Sequence, residues 1–406
     1  MMKKALFLIG FFLFCTHFLI SQETVQWRGP ARDGKYPETG LMKSWPENGP
    51  DLLWHFDELG EGHGSATVTR DLIYTAGSLD GKGYIFCFTL EGKLLWKVYY
   101  GEEWTESWPG ARSTPLFSGG KLYIMSGFGK LVCMNASDGK KIWIVDLLND
   151  YDGQNIQWGL TENLLINGDK LFCTPGGLKN NVIALDRNTG KLIWSCAGNG
   201  EKSAYCSPCL IKLPKRTILV THTENSILGI DAENGKLLWR HPQTNRYSVH
   251  ANTPYFQNGY LYCVSGYGTG GVQLKISEDG TVKQEIWRNT SLDSKMGGFI
   301  VLDDVIYGSD DSNKAWYAVD WKTGNNIHAE KILGKGVVIY SDGMLYCYSD
   351  AGEMALVKPT LNGFQKVSSF QVFFGEAQHW AHPVIKDGKL YIRHGNSLMV
   401  YDIRQK

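Results

Sequence analysis

Short apolar runs, rich in β-branched and aromatic residues and bounded by Gly, Asp or Asn, recur along the whole chain. Lys121-Leu-Tyr-Ile-Met-Ser-Gly127 shows the form, and Lys170-Leu-Phe-Cys-Thr-Pro-Gly176, Tyr260-Leu-Tyr-Cys-Val-Ser-Gly266 and Met344-Leu-Tyr-Cys-Tyr-Ser349 repeat it. Runs of this length, closed by turn formers, predict β-strands rather than helices. A second rhythm overlies the first: a turn, a Gly, a polar residue, and an aromatic four residues after the Gly. It reads Gly92 to Trp96, Gly139 to Trp143, Gly190 to Trp194 and Gly235 to Trp239, with looser copies from Gly280 to Trp287, Gly324 to His328 and Gly363 to Phe370. With Trp54 these anchors number eight, spaced 41 to 51 residues apart. One period holds about four strands joined by tight hairpins, so the expected fold is all-β, an eight-bladed β-propeller of four-stranded antiparallel blades. The segment after Ala377 lacks an anchor of its own, whereas Asp51–Phe56 has an anchor without a unit. The N-terminal strand is therefore expected to complete the last blade and hide its edge.

The phrases Ala184-Leu-Asp-Arg-Asn-Thr-Gly-Lys-Leu-Ile-Trp194 and Gly229-Ile-Asp-Ala-Glu-Asn-Gly-Lys-Leu-Leu-Trp239 resemble the tryptophan-docking repeat of the pyrroloquinoline quinone (PQQ) repeat propellers. The entry Trp27-Arg-Gly-Pro-Ala-Arg-Asp-Gly34, followed by Lys43-Ser-Trp-Pro46, is similar to the lead-in of secreted bacterial members. The resemblance covers nearly all of residues 51–406. It implies one of two functions. Some members are quinoprotein alcohol dehydrogenases that use PQQ and calcium; others are non-enzymatic scaffolds, such as the outer-membrane β-barrel assembly lipoprotein. Fold and function separate here. The repeat itself needs no cofactor, because a Trp packed on the neighbouring Gly-turn ties blades together by burial alone.

Composition narrows the classes. The formal charge is zero, which gives no electrostatic case for nucleic acid. Residues 1–21 hold two lysines, an apolar stretch from Ala5 to Cys15, and Ser21 before Gln22, the form of an export signal. That stretch is too short for a transmembrane segment, and Phe14 stands where lipidation of Cys15 needs a small residue. The expected organisation is a signal over 1–21, a lead-in over 22–50 and a propeller over 51–406, exported to the periplasm or beyond as a monomer. Cys173, Cys263 and Cys347 share one strand position in different blades and so cannot pair with each other. Cys206-Ser-Pro-Cys209 lacks the second pair that a zinc site needs.

Aligning the innermost strands on Thr114-Pro115, Ser207-Pro208, Thr253-Pro254 and His382-Pro383 gathers polar groups at one rim. One column holds His63, Arg112, Thr161, Tyr205, Lys295, Lys335 and Trp380; its neighbour holds Ser113, Glu162, Cys206, Asn252, Met296, Gly336 and Ala381. PQQ is a planar tricarboxylate, so its site needs cations, an aromatic face and oxygen ligands for calcium. The resemblance places Arg112 and Lys335 as cofactor-binding cations and Glu162 and Asn252 as calcium ligands. Lys295 adds a cation, Trp380 or Tyr205 a stacking face, and Asp293 a carboxylate base. Against the dehydrogenase stand the absence of adjacent cysteines and of a haem-attachment motif. The histidines His250, His379 and His382 have no nucleophile motif beside them. The favoured expectation is a scaffold that binds a small anionic ligand or an envelope protein at the rim, with PQQ- and calcium-dependent oxidation of alcohols or sugars as the alternative.

Overall fold

The computed structural model describes residues 23–360 and 362–406. The signal and Cys15 lie outside them. Eight antiparallel sheets follow one another along the chain, at residues 67–102, 116–146, 165–196, 209–242, 255–289, 299–330, 336–371 and 384–402; they are numbered here as blades I to VIII. In blade VIII the outermost strand is Asp51–Phe56, which pairs with Ser397–Asp402. The expected closure of the ring by the N-terminal strand is thus present, and it removes the open edge that blade VIII would otherwise show.

The anchors hold each blade to the next. The Trp96 indole N–H donates to the Ser137 carbonyl, Trp143 to Arg187, Trp194 to Ala232, and Trp239 to Gly280, each in the hairpin of the following blade. At two joints the ring lies so close to the hairpin that only glycine fits: a Cβ on Gly235 would sit 2.6 Å from Trp194, and one on Gly92 2.5 Å from Trp54. Both glycines also have positive φ, 78° and 87°, so they serve the turn and the close approach at once. In blades I to VI the residue paired with the anchor is followed by a register shift, as at Cys133/Met134 and Ala184/Leu185. Such a bulge twists the strand locally. The eighth joint has a partner that the repeat does not announce. Phe370 packs on Gly49, where a Cβ would lie 2.6 Å from its ring.

The lead-in occupies the central channel. Thr24–Val25 adds to blade II beside Phe117 and Ser118, and Lys35–Tyr36 adds in parallel to blade VII beside Tyr340 and Ser341. Between these two pairings run two buried arginines. Arg32 donates to the carbonyls of Asn163 (2.8 Å), Leu164 (2.9 Å) and Pro208 (3.0 Å), while Arg28 donates to the Phe299 carbonyl at 2.8 Å. Carbonyls at the starts of inner strands, unused by any sheet, thus find donors. The cysteines among the described residues are free thiols, buried except for half-buried Cys209. Burial pushes Cys206 and Cys209 up to about 12, far from thiolate chemistry.

Candidate functional site

At the rim opposite the short inner hairpins, the connections between blades converge on the axis around a cavity of about 200 Å³. Its floor is Trp27, from the lead-in, edge-on to His382 at 5.1 Å. The walls are aromatic. Trp380, Trp108 and Trp158 come from three connections between blades and Tyr267 from a hairpin within blade V; with Tyr247 just behind the lining they form a chain of contacts, with ring centroids 6.1, 5.9, 5.9 and 4.6 Å apart in the order Trp380, Trp108, Trp158, Tyr247, Tyr267. Tyr205 stands 6.0 Å behind Trp158. Three of these residues, Trp108, Tyr205 and Tyr267, have positive φ of 54°, 65° and 62°. For an aromatic residue that conformation costs roughly 1–2 kcal/mol. Asp and Asn visit the same region in ordinary turns, but a ring held there signals a constraint imposed by its surroundings.

The expected residues divide cleanly. Arg112, Tyr205, Lys295 and Trp380 line the cavity together with His63 and Thr161. Lys335 lines a smaller cleft beside it, shared with Lys295 and Trp380. Glu162 and Asn252, expected as calcium ligands, turn the other way. The Glu162 carboxylate accepts from the Thr174 N–H at 2.8 Å, and burial, eased by Thr174 and Arg32, pushes it up to about 8. The Asn252 oxygen accepts from the Gly298 N–H at 2.9 Å and its amide donates to the Ser294 carbonyl at 2.7 Å, tying blade V to the start of blade VI. Asp293, expected as a base, is buried and accepts from the N–H groups of Gly268 (2.9 Å) and Gly270 (3.2 Å). It staples a hairpin of blade V. At three places adjacent residues face opposite sides, as they do along a strand, while Lys295 and Met296 both line the cavity. Thr161 and Asn163, Tyr205 and Ser207, and Trp380 and His382 line the cavity, so Glu162, Cys206 and Ala381 between them point into the core.

Two features of the lining stand out electrostatically. Lys295 and Lys335 both pair with Asp311, at 3.3 and 2.8 Å. Arg112 pairs with no carboxylate among the described residues. Its Nη2 donates to the Ser107 and Trp108 carbonyls, its Nη1 makes no hydrogen bond among the described residues, and its Nε is buried without a partner. Burial lowers Arg112 to about 10, which leaves it fully charged. The acid nearest in charge is Glu103, pushed up to about 7 by burial; its oxygens accept from the Tyr100 hydroxyl and the Gly127 N–H. It therefore offsets Arg112 weakly. The His63 ring nitrogens are buried against the Trp108 and Pro109 backbone without a well-formed hydrogen bond, and the ring lies 5.0 Å from Trp380. Burial, with Arg112 and Arg393 nearby, lowers it to about 3, so it is neutral near pH 7.

The residues present do not fit a calcium–quinone centre. Calcium takes about six to eight oxygen ligands, and the two expected donors face the core with their oxygens engaged; no group of three or more His, Cys, Asp and Glu among the described residues could hold a metal. A tricarboxylate would need more free cations than the lining offers. The lining aromatics Trp108, Trp158 and Tyr267 were missed because they lie on connections and a hairpin outside the inner-strand register. The dense Trp104-Thr-Glu-Ser-Trp108 stretch was the available signal.

Known proteins resemble this chain in both of the expected directions. BamB from Moraxella catarrhalis superposes with a TM-score of 0.62 at 16% identity, over 88% of this chain and 98% of that one. Quinohemoprotein alcohol dehydrogenase ADHIIG from Pseudomonas putida HK5 gives 0.65 at 12%, over 93% and 79%. At such identities the likeness is one of fold. Among curated relatives, a quinoprotein ethanol dehydrogenase from Pseudomonas aeruginosa is 29% identical over 99 residues, 24% of this chain and 15% of the relative. A 1-butanol dehydrogenase (quinone) from Thauera butanivorans is 28% identical over 130 residues, 31% and 20%. The matched part is thus a fifth or less of each relative's length. Residues 81–330, more than half of the sequence, match the family described as outer membrane protein assembly factor BamB, and with eight tryptophan-type joints closed by the N-terminal strand, the chain belongs to that family.

Proposed function

We propose that the protein is an exported binding scaffold of the cell envelope whose axial mouth takes a small anionic ligand carrying a ring. The observation that supports this reading is Arg112: a guanidinium without a carboxylate partner, its Nε unpartnered, in a cavity walled by tryptophan and tyrosine. A desolvated cation with no counter-charge is costly, and an anion that enters the cavity supplies what the fold omits. Strained backbone at three of the aromatic residues points to the same place, since strain of this kind concentrates at binding sites. An envelope location is supported by the signal expected over residues 1–21 and by the family description, which names an outer-membrane assembly factor. Oxidation with PQQ and calcium draws support from the curated dehydrogenase relatives, but the cavity offers neither the oxygen ligands nor the cations that such a centre requires.

Melting temperature tests the reading, because a ligand that binds only the folded state raises it. Small ring-bearing anions and their neutral analogues are screened against the protein and Trp380→Ala. At least one anion is expected to raise the melting temperature of the unaltered protein by a few degrees and to leave Trp380→Ala unmoved. If none does at millimolar concentrations, the mouth is not a ligand site.

A further inference from the structure

The chemistry of the cavity narrows the ligand class, on the footing that the cavity is a binding site at all. We infer that its ligand is a flat aromatic ring bearing a single carboxylate, held by Arg112 at the wall and sandwiched among the tryptophans of the mouth. Three observations carry this. The first is the count of charges. Of the cationic side chains at and beside the cavity, Lys295 and Lys335 share Asp311, with Asp350 a further negative charge near Lys335, and only Arg112 has no carboxylate partner among the described residues. One uncompensated charge calls for one anionic group, and the planar guanidinium matches the planar carboxylate.

The second is that the polar side chains between the rings are bound to one another. The hydroxyl of Ser207 is engaged with the Asn163 amide at 3.0 Å, and the Asn163 oxygen accepts from the Thr114 N–H at 2.7 Å. The Tyr205 hydroxyl accepts from the Trp158 N–H at 3.2 Å. These inward polar side chains are thus engaged with one another, and the rings form the main face that an entering ligand meets. The third is the shape of the mouth. The rings of Trp108, Trp158 and Trp380 meet one another at 48° and 68°, so an entering flat ring meets faces and edges on several sides, an arrangement that favours aromatic–aromatic contact.

Calorimetric titration of the full chain with four probes decides the matter: naphthoate, its neutral amide, glucuronate, and PQQ. Naphthoate is expected to bind, with the amide and glucuronate each roughly tenfold weaker or more, given the strength of hydrogen bonds to charged groups. In Arg112→Met the acid loses its advantage over the amide, and in Trp108→Ala both weaken together. Comparison of acid and amide needs only the unaltered protein, so it stands even if a variant folds poorly. If glucuronate or PQQ binds more tightly than naphthoate in an Arg112-dependent way, the binding scaffold survives and the aromatic monocarboxylate is wrong. Equal binding of acid and amide overturns the role of Arg112. Binding by none of the four overturns both the class and the site.

Discussion

Glu162 is a carboxyl group held where water does not reach, one residue along the chain from a residue that lines the cavity. Desolvation raises it from an ordinary 4.5 to about 8, with the Thr174 N–H and the Arg32 charge pulling the other way. The consequence for stability has a definite sign. Between those two values the unfolded chain releases the proton while the folded chain keeps it, so stability is greatest below 4.5 and declines as pH rises to about 8, after which the loss is complete. The full shift corresponds to a nominal loss of order 4 kcal/mol. Glu162→Gln keeps an oxygen to accept from Thr174 but cannot ionise. Its melting temperature is therefore expected to gain on that of the unaltered protein steadily from pH 5 to pH 8 and to run parallel above. Glu103, pushed up to about 7, is present in both proteins and cancels in the difference. A difference that stayed constant with pH would mean that Glu162 is already ionised in the fold.

At the scale of the blade, the joint between anchor and glycine can be measured apart from the turn that contains it. Gly235 and Gly343 have nearly the same φ, 78° and 80°, but a Cβ on Gly235 would lie 2.6 Å from Trp194, whereas one on Gly343 meets nothing within 4 Å. Alanine at Gly343 is expected to cost about 1 kcal/mol for the left-handed turn alone. Alanine at Gly235 adds displacement of the indole and is expected to cost roughly 2–4 kcal/mol. Urea unfolding of the two variants gives the difference, and equal costs would show that the indole shifts without resistance. The same contrast explains what was legible beforehand. The joints were visible because four of them have the same local signature, a Gly four residues before a Trp, and because looser copies continue its period. The eighth partner, Gly49, was invisible: it lies in the lead-in, where no repeat surrounds it. The rim column of Arg112, Tyr205, Lys295 and Trp380 was legible because strand register carries from blade to blade. The fate of Glu162, Asn252 and Asp293 was not, since a shift of one position exchanges cavity for core, and no local pattern reveals that a carboxylate will meet a hairpin N–H.

The whole molecule is closed twice, once at the circumference by Asp51–Phe56 in blade VIII and once at the axis by the lead-in. The second closure depends on two arginines with φ near 60°, a conformation that persists only where many contacts enforce it. Arg32 supplies three of those contacts, to carbonyls from blades III and IV and the connections before them. It is buried and without a paired carboxylate, so its hold on the channel is a set of charge-assisted hydrogen bonds. Arg32→Met leaves a similar volume but removes the donors, and three carbonyls lose their partners, a cost of order 3 kcal/mol. The loss falls on the lead-in and leaves the outer joints untouched. Amide hydrogen exchange over residues 24–36 is therefore expected to rise many-fold, while the hairpins at Gly139, Gly190 and Gly235 keep their protection. Because Trp27 forms the floor of the cavity, whatever ligand the mouth holds is expected to weaken in the same variant. Unchanged exchange over 24–36 would show that the strand pairings at Thr24–Val25 and Lys35–Tyr36 hold the lead-in without Arg32. Loss of protection at the outer hairpins would instead make the axis and the circumference one cooperative unit, with the lead-in a part of the propeller core rather than its stopper.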